Sequence, residues 1–303
     1  MSKQKLLTLC IPTYNRGVHL EEQLKRLVLM PTDLWHDLTV FVSDNCSSDD
    51  TGKIVEKYRD CPFSDIQYSC NNTNIGMDGN FVKCFKHATT NYVWLLGDDD
   101  YIILERLPFI LNILKNGTYG LIHLGINRDE NIPYRIIDNA ELFIKNIGIW
   151  ITYISSNIVN TKYVEKIQFE NYYGTFLTLC PLYLTAALGE KENVMINTRI
   201  FENGKDIKRN GGYNYIEVFA NNYLQIFKEL ESKGRISSSL FQFEKHESFS
   251  FVLPKLVDLV ILKRKSNFST KGTWRIMFQN FGTFKTLTAV LYNIVSRIYK
   301  RIK

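Results

Sequence analysis

Three consecutive carboxylates, Asp98-Asp99-Asp100, follow the run Val93-Trp94-Leu95-Leu96-Gly97. Adjacent charges of one sign repel each other, and burying them unpaired is costly. A cation relieves that cost. Donor sets made only of oxygen suit a hard divalent ion, Mg²⁺ or Mn²⁺, of the kind that neutralises a phosphate. Taken alone, the three residues read equally well as an acidic surface turn. Val93 to Leu96 is a short apolar run of the kind that forms a buried strand. The carboxylates then sit just past its C-terminal end, and their meaning depends on what the chain places beside them.

The surrounding elements repeat one pattern. Leu6 to Ile11 reads as a strand ended by Pro12, and Pro12-Thr13-Tyr14-Asn15-Arg16-Gly17 as a loop. Leu20, Leu24, Leu27 and Val28 then recur at helical spacing. Leu38 to Ser43 is a second strand, leading through Asp44-Asn45-Cys46-Ser47-Ser48 into a helix from Asp49 to Tyr58. Ile66 to Ser69 is a third strand, Asn71 to Gly76 a loop, and Phe81, Cys84, Phe85 and Ala88 mark a further helix. Strand-loop-helix repeats with short connections predict an α/β fold: a mostly parallel sheet flanked by helices on both faces. Such sheets bind ligands at the carboxyl ends of their strands. Thr13 to Arg16, Asp44 and Asp98 to Asp100 all fall at that edge, which favours a site over a surface turn. No G-x-G-x-x-G follows the first strand and no G-x-x-x-x-G-K-[ST] occurs, which disfavours a dinucleotide fold and a P-loop. Phosphate would be held by metal and scattered donors.

The composition, 45% hydrophobic and 22% charged over 303 residues, is that of a globular protein with one large domain or one domain and an appendage. Six cysteines without a C-x-x-C pair read as reduced thiols of a cytosolic protein, and the five histidines form no zinc motif. Leu6 to Ile11 is too short for the core of a signal peptide, and no stretch approaches the roughly 18 apolar residues of a spanning helix. A soluble or peripheral protein is expected.

Four stretches in order resemble the signature of family 2 glycosyltransferases with the GT-A (Rossmann-like) fold: Ile11 to Arg16, Val42 to Thr51, Asn74 to Asn80, and Leu95 to Asp100. The resemblance covers about residues 5 to 125 and implies an enzyme. It implies that Pro12, Thr13, Tyr14, Asn15 and Arg16 line a nucleotide pocket, and that Asp44 accepts a hydrogen bond from the base. Asn74 and Gly76 would border the nucleotide-sugar cleft. Asp98 to Asp100 would be the D-x-D run that meets the ribose and holds Mn²⁺ or Mg²⁺ on the sugar diphosphate. Two registers are open. Either Asp99 and Asp100 are the final pair, with Gly97 at the first acidic position, or Asp98 and Asp100 form the D-x-D. The first makes Asp99 and Asp100 the metal ligands and puts Asp98 on the nucleotide-sugar side. Members of the family often carry a Glu-Asp pair ahead of a later helix, one acid of which deprotonates the acceptor. Here Gly174-Thr175 stands in that place, leaving Glu170 and Asp206 as candidate bases. Lys205, Lys208 and Arg209, in the same polar loop as Asp206, could close over a diphosphate.

The implied activity is a metal-dependent, inverting transfer of sugar from a nucleotide-sugar, UDP-linked, to a hydroxyl of a glycan or lipid-linked acceptor in surface polysaccharide synthesis. The domain reading is a GT-A domain over 1–220 (nucleotide-sugar half 1–125, acceptor half 126–220) and a helical region over 221–303. A nucleotidyltransferase is the first alternative, although Pro12 to Arg16 is not the Gly-rich loop it would need. A non-catalytic, membrane-associated binding or assembly protein that keeps the fold is the second. The last 45 residues hold ten bases and no acid, leaving 27 bases against 31 acids in the first 258. From Thr283, Leu287, Val290, Leu291, Ile294, Val295, Ile298 and Ile302 recur at steps of three and four. A basic amphipathic helix over 283–303 predicts docking on an anionic membrane surface, from the cytoplasmic side. No base-stacking platform or recognition helix accompanies the charge, so a nucleic-acid partner is not expected.

Overall fold

The first apolar run becomes strand β1 (Leu7–Thr13), with all seven residues buried. The computed structural model describes residues 5–62, 64–125, 132–203 and 212–302. These described residues fall into two compact units, those within 1–174 and 178–207 and those within 175–177 and 208–303.

In the first unit, β1 leads to α1 (Gly17–Leu27), β2 (Leu38–Asp44), α2 (Thr51–Arg59), β3 (Ile66–Cys70), α3 (Gly76–His87), β4 (Tyr92–Leu95) and β5 (Asp100–Ile102). Then come α4 (Leu107–Lys115), β6 (Leu121–Leu124), β7 (Tyr134–Ile137), α5 (Ala140–Ile147), β8 (Asn157–Asn160), α6 (Cys180–Gly189), β9 (Asn193–Ile196) and β10 (Phe201–Asn203). Eight strands form one sheet in the order β3-β2-β1-β4-β8-β6-β9-β7. The pairs β3-β2, β2-β1, β1-β4 and β6-β9 are parallel, whereas β8 and β7 run antiparallel to their neighbours. β5 and β10 form a separate antiparallel pair.

β1 runs through Pro12 instead of stopping before it, pairing Pro12 with Ser43 and Thr13 with Asp44. The carbonyls of Leu6 and Cys10 accept from Tyr92 and Leu96 of the β4 segment. The even-numbered residues of β1 therefore bond toward β4, and that ladder ends at Leu96. The missing N–H of Pro12 falls beyond it and loses no sheet bond.

The side chains of β1 alternate between two helical layers. Leu7, Leu9 and Ile11 share a core with Leu20, Leu24 and Leu27 of α1, Val55 of α2 and Ile110, Leu111 and Leu114 of α4. On the opposite face the Thr8 and Thr90 hydroxyls lie 2.7 Å apart, and Cys10 Sγ donates to the Cys84 carbonyl of α3. Phe85 of α3 stacks on Phe169 and meets Tyr183 of α6 edge-on, which extends this second layer. Each fully buried Leu contributes about 1.5–3 kcal/mol, so the two layers rather than the loops hold the sheet edge in place. All six cysteines are free thiols.

The second unit is helical: α7 (Tyr223–Ser232), α8 (Ser238–Leu256), α9 (Thr273–Phe281) and α10 (Thr283–Ile302). The Ser237 side chain caps α8 by accepting from the Leu240 amide at 3.1 Å, and Tyr213, Tyr215, Phe219, Phe251 and Phe268 form an aromatic cluster. Among the described residues, no helix is long and apolar enough to cross a membrane.

Candidate active site

The ends of β1, β2, β3 and β4 lie at one edge of the sheet, and the turn Gly97–Asp100 leaves it beside the end of β1. The three adjacent carboxylates do not point the same way. Asp98 turns toward β1. It is buried, accepts from Thr13 Oγ1 at 3.0 Å, and its Oδ1 lies 2.9 Å from Arg16 Nε as an ion pair without hydrogen-bond alignment. Burial pushes its carboxyl up to about 7. Arg16 pulls against that rise, Asp99 adds to it, the Thr13 bond opposes it and Asp100 adds to it again. Arg16 also donates from Nη2 to Asp99 Oδ2 at 2.5 Å, so one guanidinium bridges two neighbouring carboxylates.

Asp99 and Asp100 share a different space. A Cβ on Gly97 would stand 3.1 Å from Asp99 Oδ1, 3.2 Å from Asp100 Oδ2 and 3.5 Å from Ser155 Oγ. The volume that Gly97 leaves empty is thus lined by oxygen. Asp100 is buried and held firmly: Ser155 Oγ donates to its Oδ2 at 2.5 Å, and the Tyr153 hydroxyl lies 3.1 and 3.2 Å from its two oxygens. Ser155 Oγ in turn accepts the Gly97 amide at 2.9 Å, and its carbonyl accepts Trp94 Nε1 at 2.8 Å. Among the described residues no three His, Cys, Asp or Glu side chains surround one point. A pair of carboxylates is nevertheless a sufficient protein contribution for Mg²⁺, which takes one or two carboxylates and completes its shell with phosphate and water. The donor set fits such an ion.

The rest of the edge is built by hydrogen bonds between loops. Asn15 adopts the left-handed conformation (φ 52°) that asparagine tolerates. Its amide donates to Ser47 Oγ at 2.8 Å and its side chain accepts from the Ser48 amide at 2.7 Å. Pro12 is buried in β1, while Tyr14 is exposed. Asp44, at the end of β2, is buried and accepts from the Ser47 amide and the Tyr68 hydroxyl, both at 2.8 Å. Burial, then the bond to Asp44, raises the Tyr68 phenol above its ordinary range. Asn45 ties the third loop in. It donates to Asn74 Oδ1 at 2.8 Å and to the Gly76 carbonyl at 3.1 Å, and it accepts from the amide of Ile75 and from Asn71 Nδ2. Thr13, Asn15, Arg16, Asp44, Asn74, Gly76 and Asp98 to Asp100 therefore border one edge, as the order of loops predicts.

Of the two candidate bases, Glu170 does not join them. Glu170 is exposed and pairs with Lys86 at 3.8 Å. Lys86 lies in the last turn of α3, the opposite end of that helix from Gly76. Twelve residues separate those ends by about 16–18 Å. Asp206, Lys205, Lys208 and Arg209 lie outside the described residues. At the Gly76 end of α3, Asp78 accepts the amide of Gly174 at 2.7 Å. Gly174 is left-handed there (φ 79°), a conformation that favours glycine. The residue standing where the family often has an acid is thus used to close a turn on α3.

Sequence reasoning missed Tyr153, Ser155, Asn45 and Asp78. Nothing local marks Tyr153 and Ser155, which precede β8. They reach Asp100 only because β8 lies against β4. Asn45 and Asp78 lie within the stretches Val42 to Thr51 and Asn74 to Asn80, and their polar types at a strand end and a helix start are the available signal.

Residues 8–168 match the family described as glycosyl transferase family 2. The abequosyltransferase RfbV of Salmonella typhimurium is 28% identical over 192 residues, 56% of this chain and 57% of that protein. The GalNAc(5)-diNAcBac-PP-undecaprenol beta-1,3-glucosyltransferase of Campylobacter jejuni is 31% identical over 112 residues, 37% of this chain and 35% of that protein. The chain spans little more than half the length of the first relative and about a third of the second. The crystal structure of S. aureus TarS 1-349 in complex with UDP-GlcNAc superposes with a TM-score of 0.66 at 18% identity, covering 91% of this chain and 80% of that one. The family match covers over half of the chain and includes β1 to β4, the strands whose ends carry the carboxylates. This chain therefore belongs to glycosyl transferase family 2, with the GT-A fold.

Proposed function

We propose that this chain is a metal-dependent, inverting glycosyltransferase. It moves a sugar from a UDP-linked donor to a hydroxyl of a glycan or lipid-linked acceptor in surface polysaccharide synthesis. It works at the cytoplasmic, anionic face of a membrane through residues 283–303. The observation that carries the reading is the oxygen-lined space over Gly97, shared by Asp99 Oδ1 and Asp100 Oδ2.

In this reading, Pro12 to Arg16 line the nucleotide pocket and Asp44 accepts from the base through the lone pairs that Ser47 and Tyr68 leave free. Asn74 and Gly76 border the cleft, and Asp98, fixed by Arg16 and Thr13, faces the ribose. Asp99 and Asp100 would hold Mn²⁺ or Mg²⁺. Such an ion, when bound, offsets the negative charge that builds on the departing nucleoside diphosphate. Ser155 and Tyr153 keep Asp100 oriented. Inversion requires a base on the acceptor side of the sugar. We assign it to Asp206 rather than Glu170, because Glu170 pairs with Lys86 at the far end of α3.

The non-catalytic reading rests on the absence of a Glu-Asp pair ahead of α6. Donor hydrolysis separates the two. The chain is expected to release nucleoside diphosphate from a nucleotide-sugar in Mn²⁺ or Mg²⁺, and Asp99→Asn to abolish the release. A chain that binds no nucleotide-sugar with either ion refutes the enzyme reading. With Asp206→Asn, loss of transfer while donor binding persists is the result expected of the base.

A further inference from the structure

Helix α10 carries two unlike faces. On one, Thr286 and Val290 are buried, Arg297 Nη1 lies 2.5 Å from Asp258 Oδ1, and Arg297 Nη2 donates to the Pro254 carbonyl at 3.2 Å. About a third of a turn away, Phe284, Leu287, Leu291, Val295 and Ile298 recur in steps of three and four. They are 82%, 46%, 60%, 59% and 53% exposed. The stripe runs for about 21 Å at 1.5 Å per residue, and exposed Tyr292 and Tyr299 lie along one side of it. A contiguous exposed apolar face of this kind marks an interaction surface.

Charge selects the occupant. No acid follows Asp258, while ten bases do. Asp258 itself is taken up by Arg297 at 2.5 Å and by Arg264 at 3.1 Å. An apolar stripe edged by tyrosines, on a segment without acids, matches an anionic bilayer: tyrosine rings suit the headgroup level and the bases suit the lipid charge.

We infer that α10 lies in the plane of an anionic bilayer with Phe284, Leu287, Leu291, Val295 and Ile298 inserted, while Arg297 stays locked to Asp258. This rests on the membrane reading above and adds to it. The helix docks without leaving its own unit, and apolar insertion rather than charge alone holds it.

Flotation of the full chain with phosphatidylcholine vesicles, with and without about a quarter phosphatidylglycerol, tests this at ionic strengths of about 0.1 M and 0.5 M. The wild type should float with the anionic vesicles and retain binding at the higher salt. Leu287→Ser/Leu291→Ser/Val295→Ser should lower the partition coefficient by at least about tenfold at both salts. All three positions are exposed, so circular dichroism and melting should be unchanged. Independently, Leu291→Trp should add fluorescence that brominated lipid quenches. If the triple variant binds like the wild type, or the new tryptophan escapes quenching while the protein is bound, attraction is by charge alone and the insertion inference falls. If the triple variant turns a dimer into a monomer and leaves vesicle binding intact, the face belongs to a second copy and the inference falls as well. If the wild type binds no vesicle, the membrane reading itself fails.

Discussion

Replacing Gly97 by alanine separates a metal cradle from an acidic surface turn. The backbone of Gly97 does not occupy the left-handed region, so alanine introduces no dihedral strain. Its Cβ meets Asp99 Oδ1 at 3.1 Å and Asp100 Oδ2 at 3.2 Å, which is 0.3 Å and 0.2 Å short of ordinary contact at 3.4 Å. Something must give by that amount. Asp100 yields least, because Ser155 and Tyr153 grip both of its oxygens. Asp99 moves more readily, its other oxygen being held by Arg16 through one hydrogen bond. A ligand displaced by a few tenths of an ångström exceeds the roughly 0.2 Å tolerance of metal–oxygen distances. We expect Mn²⁺ affinity, measured calorimetrically with UDP present, to fall at least about tenfold, the scale on which supporting-shell defects act. Unfolding stability should change by less than about 1 kcal/mol, because the small gain from restricting the unfolded chain offsets the crowding. Unchanged Mn²⁺ affinity in Gly97→Ala would refute the cradle, since the added carbon occupies the space assigned to the ion's surroundings.

Ser155→Ala removes one charge-assisted bond to Asp100 and the acceptor of the Gly97 amide. The cost should be about 2–4 kcal/mol in urea unfolding, together with a rise of about tenfold in the Mn²⁺ needed for half-maximal activity; a wild-type metal requirement would show that Tyr153 alone orients Asp100. Asp65 gives a pH signature away from the site. Burial would raise its carboxyl, but hydrogen bonds from Lys5 at 2.7 Å and Thr39 at 2.6 Å, with the Lys5 charge, bring it below the ordinary range. A carboxylate depressed by folding contributes stability above its unfolded pKa and loses that contribution as pH falls through the folded value. The stability difference between wild type and Asp65→Asn should therefore be on the order of 1 kcal/mol at neutral pH, kept small by partial exposure, and should shrink on acidification below the usual carboxylate range. A difference that is flat from neutral to acidic pH would contradict it.

Strands β1, β2 and β4 were legible because each is an apolar run stopped by a polar cluster, β3 (Ile66–Cys70) being short and mixed, and a parallel sheet brings such clusters to one edge whatever the loops contain. Pro12 does not stop β1. Proline stops a strand only where its amide is needed, and the order β2-β1-β4 with a short β4 makes it unneeded. The strands that follow were not legible in the same way. β8 and β7 break the parallel rule, and Tyr153 and Ser155 owe their role to β8 lying against β4 rather than to any local pattern.

The same reasoning explains why the register of the aspartate run stayed open from sequence. In this turn the three adjacent side chains diverge and take different partners. What separates them is partner choice. Thr13 and Arg16, from the end of β1, take Asp98 into the sheet edge and leave it buried. Ser155 and Tyr153, from before β8, take Asp100 the other way, and Asp99 divides its oxygens between Arg16 and the space over Gly97. None of those partners lies within eighty residues on one side or fifty on the other. Gly97 reads in sequence as a lost acid, yet in the fold it is the residue whose missing side chain lets two carboxylates face one point. A side chain at position 97 would fill the volume that the bare glycine leaves open, which makes Gly97→Ala a sharper probe of the site than removal of any one aspartate.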